Sequence, residues 1–110
     1  MTTDLSFVEY VAEQSQLQGR ISHRKMFGEY GLYVDGKIVA LACDNSLFVK
    51  ATTATAELTG DLPRHPPYPG ASAYPVADEL LDDPDRLRAL LVATAKAVPE
   101  PKPKAPKTRR

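Results

Sequence analysis

Two turn signals on either side of a short apolar run constrain the fold of this chain more than any other feature. Asp35-Gly36 tolerates positive φ at both corners of a tight hairpin, and Asp44-Asn45-Ser46 marks a second turn further along the chain. The run "KIVALAC" between them is apolar at successive positions, as in a central strand that is covered on both faces. These signals predict a meander of three antiparallel strands within residues 25–50.

The flanking segments support this interpretation. Before the first turn, Tyr30, Leu32 and Val34 alternate with Gly31 and Tyr33, which is the two-residue period of a strand. After the second turn, "LFVKA" supplies the third strand. The segment 61–75 is rich in proline, and each proline removes a donor from a strand ladder, so we expect at most short edge strands there.

The stretch "RKMFGEYGLYVDGK" contains three glycines and could be compared with phosphate-binding loops. Its spacing is not GxGxxG, a strand follows where a helix is needed, and the carboxylate of Glu29 would repel phosphate. We therefore predict that its glycines shape a sheet, through a bend, a close approach of a neighbour and a hairpin. The glycines assigned to these roles are Gly28, Gly31 and Gly36, and we expect Met26 and Phe27 to be core residues at the start of the sheet.

Helices are predicted on both sides of the strands. Ser6 and Glu9 have the spacing of a capping box, and apolar residues follow at steps of three and four, which predicts a helix over residues 6–18. "TATAELTGDL" predicts a short helix. Asp83-Pro84 predicts the start of a longer helix that Pro99 ends. The resulting class is α+β.

The charge distribution divides the chain at about residue 98. With 110 residues there is room for one domain, which we place at residues 1–98; this segment contains 9 basic and 13 acidic residues. Residues 99–110 contain four prolines and five cations against one acid, and we expect them to form a disordered basic tail. The tail would contact a polyanion weakly and in a salt-dependent way. Its cations are Lys102, Lys104, Lys107, Arg109 and Arg110.

Candidate chemistry is sparse. Cys43 lies in an apolar strand and is expected to behave as a small buried hydrophobe. His23 and His65 have no partner at the spacing of a metal site or a nucleophile-base pair. The acids between residues 78 and 85 lack the alternation and glycine of an EF-hand loop, so we expect helix capping. We predict no catalytic residue, no cofactor, no metal and no enzyme activity.

The N-terminus and the hydropathy pattern favour a cytoplasmic protein. Asp4 and Glu9 stand where a signal peptide would have a basic flank and an apolar run. The longest unbroken apolar run, residues 38–43, is far too short to span a membrane. We therefore expect no membrane partner.

Six clustered positions carry a resemblance to a known family. The pattern Arg-x-Met-Phe-Gly-x-x-Gly-x-Tyr resembles the N-terminal domain of the TfoX/Sxy family of bacterial competence regulators, and the similarity extends over about residues 5–98. Glu29 departs from the family pattern, which more often has a second glycine there. The positions that match are Arg24, Met26, Phe27, Gly28, Gly31 and Tyr33.

This resemblance implies a two-layer α+β fold with the order α-β-β-β-α-β-β-α, in which helices back an antiparallel sheet. In full-length relatives a second, helical domain follows, and the pair activates transcription of DNA-uptake genes. The resemblance implies that this chain is a stand-alone version of the N-terminal domain without that second domain.

Three functional hypotheses follow. The first is a non-enzymatic, regulatory protein-interaction module that contacts another protein or a second copy through its sheet face or an open strand edge. The second is a nucleic-acid-binding accessory protein that uses the basic tail. The third is a ligand-binding protein or enzyme with a site near Arg24 and Lys25; if Arg24 has a structural role, Glu29 or Asp35 should pair with its guanidinium.

Overall fold

A computed structural model describes residues 3–26 and 29–98 of the chain. Strands β1 to β4 form one antiparallel sheet in sequence order, and β5 and β6 form a separate two-stranded sheet. This arrangement confirms the predicted α+β class. The elements in order are α1 (Leu5–Ser15), β1 (Ile21–Met26), β2 (Glu29–Val34), β3 (Lys37–Cys43), β4 (Ser46–Val49), a 3₁₀ turn (Thr53–Thr55) that leads into α2 (Ala56–Thr59), β5 (Arg64–His65), β6 (Tyr74–Pro75), a second 3₁₀ turn (Asp78–Asp82) and α3 (Pro84–Ala97).

The predicted meander is present, with one strand more than expected. Strands β2, β3 and β4 correspond to the three predicted strands, and β1 precedes them at the edge of the sheet. The structure therefore has one strand more before the short helix than the expected order. The sequence "ISHRKM" of β1 gave no signal, because its four central residues are polar and exposed and no apolar alternation marks it.

Both hairpin turns have positive φ at their two central residues, as the sequence predicts for Asp35-Gly36. Asp35 and Gly36 have φ of 53° and 82°, and Asp44 and Asn45 have φ of 54° and 58°. Positive φ at both central residues matches the right-handed twist of the flanking strands. Each two-residue loop therefore fixes the register of its hairpin.

The helices cover one face of the sheet and form the core with it. The ammonium group of Lys37 donates a hydrogen bond of 3.1 Å to the carbonyl oxygen of Ala95, which ties the start of β3 to α3. Leu32 and Val34 of β2 are almost fully buried in the same cluster as the apolar residues of the helices. Each buried leucine or valine contributes about 1.5–3 kcal/mol. The helix residues in this cluster are Val8, Val11, Leu87, Leu90, Leu91 and Ala95.

The helix ends agree only in part with the sequence. α1 begins at Leu5 after Asp4, with no side-chain cap, so the predicted capping box at Ser6 and Glu9 is wrong. Its C-terminal cap is Gln16, at φ 58°. At α3, by contrast, the Asp83 side chain accepts a long hydrogen bond of 3.5 Å from the first-turn backbone, as its sequence predicts.

The edge strand β4 is covered by the segment that follows the proline-rich region. The N–H of Ala77 donates to the carbonyl oxygen of Leu47 at 2.8 Å. The N–H of Leu47 donates in turn to Oδ1 of Asp78 at 2.7 Å, and Phe48 forms an isolated bridge with Val76. These bonds use the polar backbone groups of β4 that would otherwise face outward.

Candidate functional site

The β1–β2 hairpin brings most of the family motif to one face of the sheet. Arg24 lies opposite Gly31 across the hairpin, and Ser22 lies opposite Tyr33. Alternate residues of a strand share a face, as do residues directly opposite each other on neighbouring strands. Arg24, Met26, Gly31 and Tyr33 therefore lie on the same side of the sheet.

This face continues across the meander and lies opposite the core. Leu41 pairs with Gly31, and Phe48 pairs with Leu41. Leu32, which alternates with these positions, belongs to the core beneath the helices. We call this surface the outer face. It comprises Arg24, Met26, Gly31, Tyr33, Ile38, Leu41 and Phe48.

Gly31 leaves space that its neighbours on the outer face fill. A Cβ atom at this position would lie 2.8 Å from Cε of Met26, 3.3 Å from Cδ1 of Ile38 and 3.4 Å from Cε1 of Tyr33. The three side chains therefore converge over the glycine backbone, and each remains partly accessible to solvent. The sequence predicted that Gly31 lets a neighbour approach closely, and these contacts are of that kind. Met26, Tyr33 and Ile38 form a half-buried apolar cluster over the glycine. Met26 lies on this face and outside the core cluster, so its expected place in the core is wrong.

The outer face ends at an open strand edge. No other strand of the described segments lies beyond β1. Four consecutive residues of β1, from Ser22 to Lys25, are exposed. His23 contacts Tyr30 edge-on, with 5.6 Å between ring centroids and 71° between ring planes. The sheet thus presents an accessible edge next to a partly apolar face.

Arg24 and Lys25 do not form a pocket. Both are exposed and adjacent in β1, so their side chains project to opposite faces of the sheet. Within residues 3–26 and 29–98, neither takes part in an ion pair. The arrangement counts against a ligand site built from these two cations.

The two acids considered as partners of Arg24 are engaged elsewhere. Arg20 donates from Nε and Nη2 to the two carboxylate oxygens of Asp35, at 3.1 and 2.8 Å. Oε1 of Glu29 accepts hydrogen bonds from the hydroxyl of Thr3 and, at 3.1 Å, from the backbone N–H of Asp44. Glu29 therefore fastens the segment before α1 to the turn after β3.

The Arg20–Asp35 pair shifts both ionisation equilibria in the expected direction. The hydrogen bonds from Arg20, with its positive charge, lower the pKa of Asp35, and the carboxylate raises the pKa of Arg20. The pair closes the end of the β1–β2 hairpin at the surface, where solvent screens it.

Cys43 is buried at the end of β3, as the sequence indicates. Burial, together with the negative charges of Glu29 and Asp44, raises the pKa of its thiol to about 11. The thiol is therefore protonated at neutral pH, which disfavours nucleophilic chemistry.

The remaining candidates do not assemble a reactive site. A shallow groove of about 410 Å³ is lined by Arg20, which precedes β1, and by Asp85 and Arg88 of α3. It includes neither Arg24 nor Lys25. In the part of the chain that the structure describes, no three His, Cys, Asp or Glu side chains are grouped to hold a metal ion. Asp78 instead holds the backbone of β4.

Several predicted positions lie outside the described residues. Phe27 and Gly28 of the family motif are among them, as is Pro99, the predicted end of the last helix. The five tail cations predicted to contact a polyanion are too: Lys102, Lys104, Lys107, Arg109 and Arg110. These assignments stay predictions.

Sequence reasoning missed one edge strand of the main sheet and one contact at its opposite edge. The edge strand β1 escaped because its polar residues lack a strand period, although its His-Arg-Lys run is typical of a protected edge. The backbone contact of Asp78 with β4 was not predicted, because it joins residues 31 positions apart.

No helix among residues 3–26 and 29–98 has the length and apolar character needed to cross a bilayer.

Comparison with known proteins identifies the family of the chain. Residues 13–98 match the model of the TfoX N-terminal domain. An "uncharacterized 12.7 kDa protein in trpE 5′ region" from Spirochaeta aurantia is 42% identical over 109 residues, which cover 99% of this chain and 95% of that protein. The chain therefore belongs to the TfoX N-terminal domain family.

Proposed function

We propose that this chain is a cytoplasmic, non-enzymatic regulatory module that binds a protein partner through the outer face and the adjoining β1 edge. One observation carries the proposal: the motif residues Arg24, Met26, Gly31 and Tyr33 share an accessible face of one hairpin. Residues that converge on a reaction would line a concave pocket, whereas these residues cover a sheet surface.

The chemistry of the outer face suits protein recognition. Met26, Tyr33 and Ile38 are half-buried around Gly31, so they offer apolar area that a partner could cover. Methionine, tyrosine and arginine are enriched at protein interfaces. Arg24 adds an exposed guanidinium beside this cluster. A regulatory role, including one in competence, fits the family to which the chain belongs.

The proposal can be tested by affinity purification of the full chain from its native host, with and without nuclease. The test variant is Tyr33→Ala, on the outer face, and the matched control is Tyr10→Ala, an exposed tyrosine of α1. We expect proteins that persist after nuclease treatment, are lost with Tyr33→Ala and are retained with Tyr10→Ala. Urea titration of each variant would establish that it is folded.

Two outcomes would contradict the proposal. Equal capture by both variants would exclude the outer face as the binding surface. Loss of every captured protein after nuclease treatment would favour the second hypothesis, nucleic-acid binding through the tail. That hypothesis is favoured by the concentration of five cations within residues 99–110, and it predicts that a chain ending at Val98 loses retention on DNA at low salt.

A further inference from the structure

At the β1 edge, the pairing with β2 determines which backbone groups are free. The N–H of Asp35 donates to the carbonyl oxygen of Arg20 at 2.9 Å, so Arg20 is a residue whose backbone bonds toward β2. In an antiparallel pair, residues alternate between those bonded to the partner strand and those pointing away from it. Ser22 and Arg24 therefore bond toward β2, while the backbone groups of His23 and Lys25 point to the free edge.

This alternation leaves an edge with a defined hydrogen-bonding pattern. The N–H of Ile21 is already used, because it donates to the carbonyl oxygen of Leu17 at 3.0 Å. The remaining outward groups are the carbonyl of Ile21 and both polar groups of His23 and Lys25. They are spaced as a ladder that could accept one more strand of about five residues.

The side chains of this edge are basic on a body that is acidic. β1 contains Arg24 and Lys25 and no acid, whereas residues 1–98 as a whole contain 13 acidic and 9 basic residues. Because the two cations are adjacent, one faces each side of the sheet. A strand added beside β1 would meet a positive charge on both of its own faces.

A second copy of the chain fits this edge poorly. Any antiparallel pairing of two β1 strands would bring two arginines and two lysines together with no acid in either strand. Like charges on paired strands are destabilising, and charged edge residues commonly prevent this type of self-association. The same charges favour a strand of the opposite sign.

We infer that β1 is the docking site for an extended acidic segment of another protein, which extends the sheet as an added strand. This inference rests on the proposed function, since it names the partner of the same surface. The segment needs two consecutive acidic residues, because successive side chains alternate faces and would meet Arg24 and Lys25 in turn. An apolar residue one position further along would lie beside Met26 on the outer face.

The experiment uses the full chain and a fluorescein-labelled synthetic peptide of alternating valine and threonine with a central Glu-Glu pair. Fluorescence anisotropy should show saturable binding that weakens as salt is raised. A peptide with central Lys-Lys should not bind. A Glu-Glu peptide with N-methylated backbone amides should bind at least about tenfold more weakly, because it keeps the charges and loses the ladder.

Matched protein variants locate the site. Arg24→Glu combined with Lys25→Glu should weaken binding of the Glu-Glu peptide by about tenfold or more, since both cross-strand pairs become repulsive. Arg86→Glu combined with Arg88→Glu, on the exposed side of α3, changes the net charge by the same amount. This control should weaken binding of the Glu-Glu peptide far less. Each double variant is checked for cooperative urea unfolding.

Three results would overturn the inference: no saturable binding, equal binding of the N-methylated peptide, or equal effects of the two double variants. A wild-type dimer with the amides of His23 and Lys25 protected from hydrogen exchange would assign the edge to a second copy instead. If host proteins are lost with Tyr33→Ala but retained by the Arg24→Glu, Lys25→Glu variant, the proposed function stands and the acidic strand does not.

Discussion

The two edges of the main sheet meet solvent in different ways. At β4 the chain covers its own edge: Leu47 bonds both to the backbone of Ala77 and to the carboxylate of Asp78, and its side chain is fully buried. At β1 the four central residues are exposed, and two of them are cations without an ion-pair partner among the described residues. One edge is closed by hydrogen bonds, whereas the other is protected by charge.

Because the two edges differ, substitutions at the β4 edge should affect stability, and substitutions at the β1 edge should affect binding. A closed edge contributes buried area and satisfied backbone groups, so substitutions there should lower the free energy of unfolding. A charged open edge contributes little to the core, so substitutions there should change association and leave folding nearly intact. Matched substitutions at the two edges can therefore test the comparison.

The largest expected effect is at the closed edge. Phe48 is 7% exposed and bridges to Val76. Phe48→Ala should reduce the free energy of unfolding by about 3–5 kcal/mol, measured by urea denaturation, because it removes a buried aromatic side chain and leaves a cavity. Lys25→Ala at the open edge should change it by no more than about 0.5 kcal/mol. Similar losses in both variants would show that the edges are not different.

A smaller effect is expected from the carboxylate that closes β4. Asp78→Ala leaves the buried N–H of Leu47 without its acceptor, which should cost about 1–3 kcal/mol in the free energy of unfolding. The control is Glu79→Ala, an exposed neighbour in the same 3₁₀ turn. Hydrogen exchange of the Leu47 amide should accelerate in the first variant alone. Unchanged exchange would mean that the Asp78 carboxylate does not protect this amide.

These contacts also mark what the sequence could predict. Local signals were sufficient for α3 and for the two turns, because the Asp83 cap and the positive φ at Gly36 depend on neighbouring residues. Strands β2 to β4 follow from apolar alternation and from the turns that join them. The α+β class follows from these elements and from the family resemblance.

The remaining features depend on contacts between distant parts of the chain. Asp78 could be predicted to act near a helix start, but its bond to Leu47 depends on how the proline-rich segment folds back. β1 has the composition of a surface segment, so only its pairing with β2 identifies it as a strand. The sequence offers Glu29 as a partner of Arg24, whereas the fold places its carboxylate against the Thr3 hydroxyl and the backbone N–H of Asp44. The motif residues were recognisable, while their common face required the register.

The next prediction concerns the apolar cluster beside the open edge. Gly31→Ala places Cβ within 2.8 Å of Cε of Met26, the flexible end of a side chain, so the methionine should rotate away. The expected loss is about 0.5–1.5 kcal/mol, the cost of an unfavourable rotamer. Met26→Ala in the same chain should remove most of that penalty in a double-mutant cycle followed by urea denaturation. Additive losses would show that the penalty comes from another neighbour, such as Ile38, whose Cδ1 would lie 3.3 Å from the new Cβ.

The smallest effect is expected at the exposed ion pair that ends the β1–β2 hairpin. Asp35→Asn removes the charge, while asparagine still tolerates the positive φ at this corner. Because Arg20 lowers the pKa of Asp35 in the folded chain, the ion pair stabilises the fold above the unfolded pKa of the carboxyl group, and this contribution is lost as pH falls through the lowered value. The difference between wild type and Asp35→Asn in urea midpoint should therefore be small at neutral pH and should vanish in acid. It should also shrink at about 1 M salt, because the pair is exposed to solvent. A difference that persists in both conditions would show that the Asp35 side chain stabilises the turn by its shape, and that charge at this end of the open edge contributes nothing to folding.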